Sequence, residues 1–255
     1  TLDPAEQPFL HDHRIDGTPV LPGVMGMEAF AEAAALIAPE GYRVGAVEQV
    51  TFHAPVKFYR DQARTLTVTA TVTPGSDGEL LARCALTAER QLPGQPAPTV
   101  TTHFTGTVRL TTAEAVGATI DPVGDPTGPQ LSPEQIYRLY FHGPAYQVIE
   151  SAWADGEQAI ARFTDPLPDN HHPAQAPLVG RPRLVELAFQ AALALYNAKL
   201  YDQARVAFQA FLIDFPDSAR VDNSRYLVAR CYFELQDYTT ARALFAAFLV
   251  ADATS

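Results

Sequence analysis

Cysteine is nearly absent from this chain, with two in 255 residues. Cys84 and Cys231 lie far apart in unrelated surroundings. That excludes a disulfide framework and suits a reducing compartment. Basic residues are also scarce: 18 Lys and Arg stand against 29 Asp and Glu, for a net charge of −11. Such a balance argues against nucleic acid and anionic membranes as partners, because phosphate surfaces are held by basic patches. No apolar run reaches the roughly 18 residues that a membrane-spanning helix needs, and no secretory signal is visible. Also missing are a G-x-S-x-G elbow, a phosphate loop and a dinucleotide fingerprint. His11 and His13, and His171 and His172, lack the ligand spacing of a metal site, so no metal is expected. The chain starts on Thr1 as an excised domain would, and the expected location is cytoplasmic.

What is present is apolar content of 47%, enough for a sizeable core in one large domain or two. A small-residue apolar helix is expected over 24–38, followed by strands with a period of two. One strand is expected over about 45–60. In the next, Leu66, Val68, Ala70 and Val72 share one face while threonines occupy the other. Ala82, Cys84, Leu86 and Ala88 repeat the pattern, as do Val100, Phe104, Val108 and Leu110. The Pro- and Gly-rich stretch 111–131 reads as a linker. Ser132-Pro133-Glu134 reads as a helix start, with Ser132 as the cap. Short strands follow near 147–153 and 158–164, then a Pro-rich loop, 165–182, leading into a helix.

The segment His13-Arg14-Ile15-Asp16-Gly17-Thr18-Pro19-Val20-Leu21-Pro22-Gly23 has the form H-x-x-x-G-x-x-x-x-P-G and runs into the first helix. Histidine is the side chain whose ordinary pKa suits proton abstraction near neutrality. The first amides of a helix have no intrahelical partner and lie at the positive end of its dipole, so they can hold an oxyanion. Gly17 and Gly23 permit a tight turn and a close backbone approach, and Pro22 fixes the geometry where the helix begins. A base beside an oxyanion-holding group is what removal of the proton next to a thioester carbonyl requires.

Two further segments occur in order. One is Phe141-His142-Gly143-Pro144-Ala145-Tyr146-Gln147, the other Pro182-Arg183-Leu184-Val185-Glu186-Leu187-Ala188-Phe189-Gln190. Glu186 and Gln190 are four apart and share a helix face. With the histidine motif, these segments resemble polyketide synthase dehydratase domains, which are α+β, double-hotdog enzymes. The resemblance spans about 1–195. It implies a hydro-lyase that dehydrates a β-hydroxyacyl thioester on an acyl carrier protein. It also implies His13 as base and Glu186 as the acid that protonates the departing hydroxyl. Gly17, Pro22, Gly23, Tyr146 and Gln190 would bind or orient the substrate. Glu186 departs from the usual Asp by one methylene. His142 is expected to shape a turn or border the pocket. No metal or redox cofactor is needed, since the phosphopantetheine arm arrives with the substrate. Because carriers are often acidic, a basic spot such as Arg181 and Arg183 would meet them. Homodimers are common among related dehydratases.

Three more strands should follow the Glu186 helix. Instead Tyr201, Ala204, Phe208 and Leu212 recur as Tyr238, Ala241, Phe245 and Leu249. This period of 37 resembles tetratricopeptide repeats, with the Phe215-Pro216-Asp217-Ser218 turn lengthening the unit. The expected organisation is an N-terminal hotdog over 1–112, a linker over 113–131, a partial C-terminal hotdog over 132–195 and repeat-like helices over 196–255. Too few repeats are present to stand alone, so the helices must pack on the dehydratase half or on a protein or peptide partner. The truncated second hotdog would otherwise leave a strand edge open. A natural fusion, a chimera and an assembly of two genes all fit the join. Two other functions remain open: an inactive hotdog scaffold carrying a protein-binding repeat, and a related hotdog enzyme that shapes or cyclises a polyketide chain.

Overall fold

The computed structural model describes the chain except for residues 92–96, 114–123, 127–129, 139–140, 156–157, 175–177, 215, 217–220 and 253–255. Most of the expected linker and of the 215–218 turn lies outside the described residues. The chain divides into two compact units. The first comprises Thr1–Asp121, Phe141–Tyr146 and Asp169–Pro182; the second comprises Pro122–Tyr140, Gln147–Pro168 and Arg183–Ser255.

The first unit opens with one turn of helix, α1 (Pro8–His11), and a small hairpin of β1 (Arg14–Ile15) and β2 (Thr18–Pro19). Helix α2 (Gly23–Ile37) follows, within a residue of its expected span. Then come β3 (Arg43–Phe52), β4 (Leu66–Pro74), β5 (Leu80–Arg90) and β6 (Thr99–Thr111), an antiparallel sheet in the order β3-β6-β5-β4. The α2 helix packs on all four strands, the helix-in-sheet arrangement of a hotdog. Phe30, Ala31 and Ala34 of α2 meet the inward-facing Ala82, Leu86, Val108 and Leu110, all essentially inaccessible. Alternation puts Ala82, Cys84, Leu86 and Ala88 inside, as their spacing requires. Helix and sheet approach so closely that a Cβ on Gly26 would lie 2.4 Å from the Phe104 ring.

Strand β3 ends at Phe52, eight residues short of the expected end. The His53 and Ala54 amides both turn onto the His103 carbonyl, and Pro55 cannot donate to a ladder. The chain beyond pairs elsewhere: the Leu21 amide bonds the Val56 carbonyl at 3.0 Å, and the Phe58 amide bonds Pro19 at 2.9 Å. Val100 is 58% exposed rather than inward, because it lies at the outer end of β6, beyond a register shift between Leu86 and Thr87.

The second unit holds β7 (Gln130–Leu131), β8 (Ile149–Asp155) and β9 (Gln158–Phe163) in that order, with α3 (Pro133–Tyr137) beside β8. Ser132 and Gln135 close a capping box at the start of α3. Helix α4 (Pro182–Asn197) is followed by α5 (Tyr201–Asp214), α6 (Val221–Glu234) and α7 (Tyr238–Asp252), each packed on the next from α5 onward. Two cores share α4. Ala194 joins Ile136, Val148, Ile149 and Ala152 under the sheet. Phe189, Ala192 and Leu195 join Ala204, Phe208 and Phe211 of α5 and Val228 and Cys231 of α6. The α5 helix also packs against β9, the strand at one edge of this sheet, where further hotdog strands were expected.

Phe208 is fully buried and its ring lies 5.9 Å from that of Phe189. Phe208→Ala is expected to lower the denaturant midpoint by an amount corresponding to about 3–5 kcal/mol. Ile213→Ala, at a side chain 78% exposed, is expected to change stability by less than about 0.5 kcal/mol. Burial pushes the Cys84 thiol up to about 11 and that of Cys231 up to about 12. Neither thiol is therefore expected to react with a thiol reagent at pH 8 until denaturant is added.

Candidate functional site

The hairpin that carries His13 turns through Asp16 and Gly17, both at positive φ (49° and 76°). Two such residues in succession are what a type I′ turn demands, and Asp-Gly is a favoured pair for it. Nothing lies within 4 Å of a Cβ built on Gly17, so this glycine serves the backbone angle rather than a close contact. The guanidinium of Arg14 ties the hairpin down, donating to the His11 and Gly17 carbonyls and, bidentately, to Asp61.

Within this frame the His13 amide and carbonyl are both engaged, the carbonyl accepting from Val20 at 3.0 Å. The side chain is 6% exposed, and its Nδ1 donates to the Val20 carbonyl at 2.8 Å. That bond places the neutral ring's proton on Nδ1 and its lone pair on Nε2, the form of a general base. Aromatic rings surround it: Phe141, His142 and Tyr146 have centroids 5.2, 5.4 and 5.8 Å from that of His13. His142 and Tyr146 are buried, while Phe141 is half-exposed.

Asp12, to which the motif reading assigns no role, fastens these rings to the histidine. Its backbone carbonyl accepts from the Gly143 amide at 2.8 Å, and its carboxylate accepts from the Ala145 amide at 2.7 Å. A Cβ on Gly143 would fall 2.6 Å from the Asp12 Cγ, which explains the glycine there. His13 and His142 are also joined by an antiparallel bridge. The signal in the sequence was the Asp-His pair itself, but its target lies more than 130 residues away.

Pro22 occupies the position before α2 in an extended conformation, and Gly23 is the first helical residue. The Met25 and Gly26 amides bond the Pro22 carbonyl, so Gly23 and Val24 supply the amides that the helix does not use. One turn on, Glu28 is 3% exposed and its carboxylate accepts from the Val179 and Gly180 amides. Beside it is a cavity of about 300 Å³ with Phe9, Leu21, Met25, Leu66, Val68 and Leu86 among its apolar walls. Glu28, Glu32 and His171 supply its polar rim. Burial, reinforced by Glu28 and opposed by His171, raises the pKa of Glu32. His13 does not line this cavity.

Glu186 and Gln190 belong to the second unit, on α4, and are 5% and 0% exposed. The Tyr137 hydroxyl accepts from the Ile149 amide at 2.7 Å and lies 3.4 Å from Gln190 Oε1, to which it donates. Burial pushes that phenol up to about 12. Gln190 is thus held in the interior of its own unit. His13, Gly17, Pro22, Gly23 and Tyr146 are all in the first unit. The guanidinium of Arg183 is turned inward onto the Pro168 carbonyl. Among the described residues no group of three or more metal-ligating side chains occurs. No described helix is long and apolar enough to cross a membrane.

Residues 1–82 match the family described as polyketide synthase dehydratase domain, and residues 128–214 the polyketide synthase dehydratase N-terminal domain. Residues 224–255 match the tetratricopeptide repeat. A polyketide synthase, ThaG of Burkholderia thailandensis, is 29% identical over 200 residues, covering 75% of this chain and 3% of its own length. A trans-AT polyketide synthase dehydratase domain from Brevibacillus brevis superposes with a TM-score of 0.53 at 20% identity, over 74% of this chain and 66% of that one. The bifunctional dehydratase-cyclase domain of ambruticin biosynthesis gives 0.53 at 23% identity, over 73% and 65%. The chain therefore spans about two thirds of these solved domains and a small part of the polyketide synthase.

Asp12→Ala would leave the Ala145 amide without its carboxylate partner. It is expected to cost about 1–3 kcal/mol in chemical denaturation. Unchanged stability would show that the carboxylate does not hold this loop.

Proposed function

We propose, since this chain belongs to the polyketide synthase dehydratase domains and ends in tetratricopeptide repeat helices, that it removes water from a β-hydroxyacyl thioester held on a carrier protein. The observation that carries this reading is the 2.8 Å bond from His13 Nδ1 to the Val20 carbonyl, which sets the tautomer with its lone pair on Nε2, the form a general base needs. In the proposed reaction His13 Nε2 takes the α-proton. The amides at Gly23 and Val24 hold the negative charge that develops on the thioester oxygen. Glu186 gives its proton to the β-hydroxyl, which leaves as water while the α–β double bond forms. The protonated imidazole and the carboxylate then exchange a proton with solvent, restoring both groups. Gln190 and Tyr146 orient the substrate or border it, and the pantetheine arm comes with the substrate.

The cavity against α2 supports the same reading, because it offers largely apolar walls to an acyl chain within the unit that carries the base. Its rim carboxylate Glu28 is engaged with two backbone amides and serves as an anchor. The proposal extends to soluble carrier-protein partners and neighbouring synthase domains, and to a protein partner for the repeat helices.

The test is dehydration of a 3-hydroxyacyl pantetheine thioester followed by mass spectrometry, with His13→Ala and Glu186→Gln alongside. Removal of a general acid or base is expected to lower the rate by about 10²–10⁴-fold in each variant. Loss of water retained in His13→Ala would sink the assignment of the base. A folded wild-type protein without turnover would favour the scaffold alternative.

A further inference from the structure

On this strongly acidic chain, cationic side chains gather in one groove of the first unit. A groove of about 240 Å³ is lined by Lys57, Arg64 and Arg90, with Tyr59, Gln62 and a single carboxylate, Glu89. Neighbouring Asp61 does not neutralise it, because its two oxygens accept from the Arg14 guanidinium at 3.0 and 3.2 Å. Among the described residues Lys57 and Arg90 form no ion pair. Arg64 is half-buried and fixed, one of its Nη1 protons going to the Lys57 carbonyl at 2.9 Å. An arginine held in place beside a lysine and a second arginine provides both a fork and point charges for a tetrahedral oxyanion.

The groove is tied to the base through backbone. Val20 bridges Lys57, and the Val20 carbonyl is the acceptor for His13 Nδ1. Leu21 and Pro19 pair with the residues on either side of Lys57.

We infer that this groove receives the phosphate ester of the carrier's pantetheine arm. This rests on the dehydratase reading. Charge complementarity selects the occupant: three cations against one carboxylate suit a single phosphate, whereas a net charge of −11 opposes a polyanion such as nucleic acid. A pantetheine thioester carries its phosphate at the far end of a long arm from the reacting carbon. A phosphate site therefore belongs on a surface away from the imidazole. Arg183, with its guanidinium turned to the Pro168 carbonyl, is already engaged within its own unit.

The test compares 4′-phosphopantetheine with pantetheine, titrated onto the full chain and onto the Lys57→Gln/Arg90→Gln double variant by ligand-observed NMR. The wild type is expected to bind the phosphorylated compound more tightly, with an advantage that shrinks as salt rises. Loss of two charge contacts, one at the half-buried Lys57 and one at the exposed Arg90, is expected to weaken phosphopantetheine about tenfold and to leave pantetheine unchanged. Equal binding of phosphopantetheine by wild type and variant would overturn the inference. So would a loss that is the same for both compounds. Turnover of an unphosphorylated pantetheine thioester reports on the dehydratase reading separately. If it fails while the phosphate-dependent difference persists, the catalytic assignment falls and the groove's phosphate affinity stands. If it succeeds while the variant binds normally, the groove alone is rejected.

Discussion

The hydrogen bond from His13 Nδ1 to the Val20 carbonyl decides which ring nitrogen carries the proton, and much of the first unit is arranged to preserve it. Val20 is held by its own amide to the His13 carbonyl and by its bridge to Lys57. The Asp16-Gly17 turn sets the hairpin register that puts Val20 opposite the histidine. Asp12, one residue before, draws in the 141–146 loop, whose rings close around the imidazole. A 6% exposed imidazole without such a bond would have neither a fixed tautomer nor a fixed orientation. The dehydratase chemistry proposed for this chain begins from that fixed lone pair.

A different constraint governs the second unit. Helix α4 is apolar on two faces, and each face completes a core that its neighbours cannot close alone. Ala194 faces the β8 side, while Phe189, Ala192 and Leu195 face α5 and α6. The same helix carries Glu186 and the fully buried Gln190. The join between dehydratase-like and repeat-like sequence is therefore a shared helix rather than a linker. Repeat helices that could not bury their apolar faces alone find the missing surface there, and α5 reaches β9 as well. Removal of the repeats would strip one core from the helix that bears the proposed acid.

Periodicity made the first sheet legible. Ala82, Cys84, Leu86 and Ala88 turn inward because alternation is a local property of a strand. The helix after Gly23 and the capping box at Ser132 followed from local chemistry in the same way. The end of β3 did not, because the partners of Val56 and Phe58 are Leu21 and Pro19, more than 30 residues earlier. Asp12 and Glu28 escaped notice for the same reason: each carboxylate accepts from amides more than 130 residues away, where neighbouring sequence carries no sign of the pairing.

By itself the sequence determined the kinds of element, the histidine motif, the repeat at the C-terminal end and the resemblance to dehydratases. All of these depend on residue identity at short spacing, which a chain carries before it folds. Tertiary structure alone decided the tautomer of His13, the ring of aromatic side chains around it and the double duty of α4. Those depend on which distant backbone groups come within about 3 Å of one another, a distance set only when the cores close.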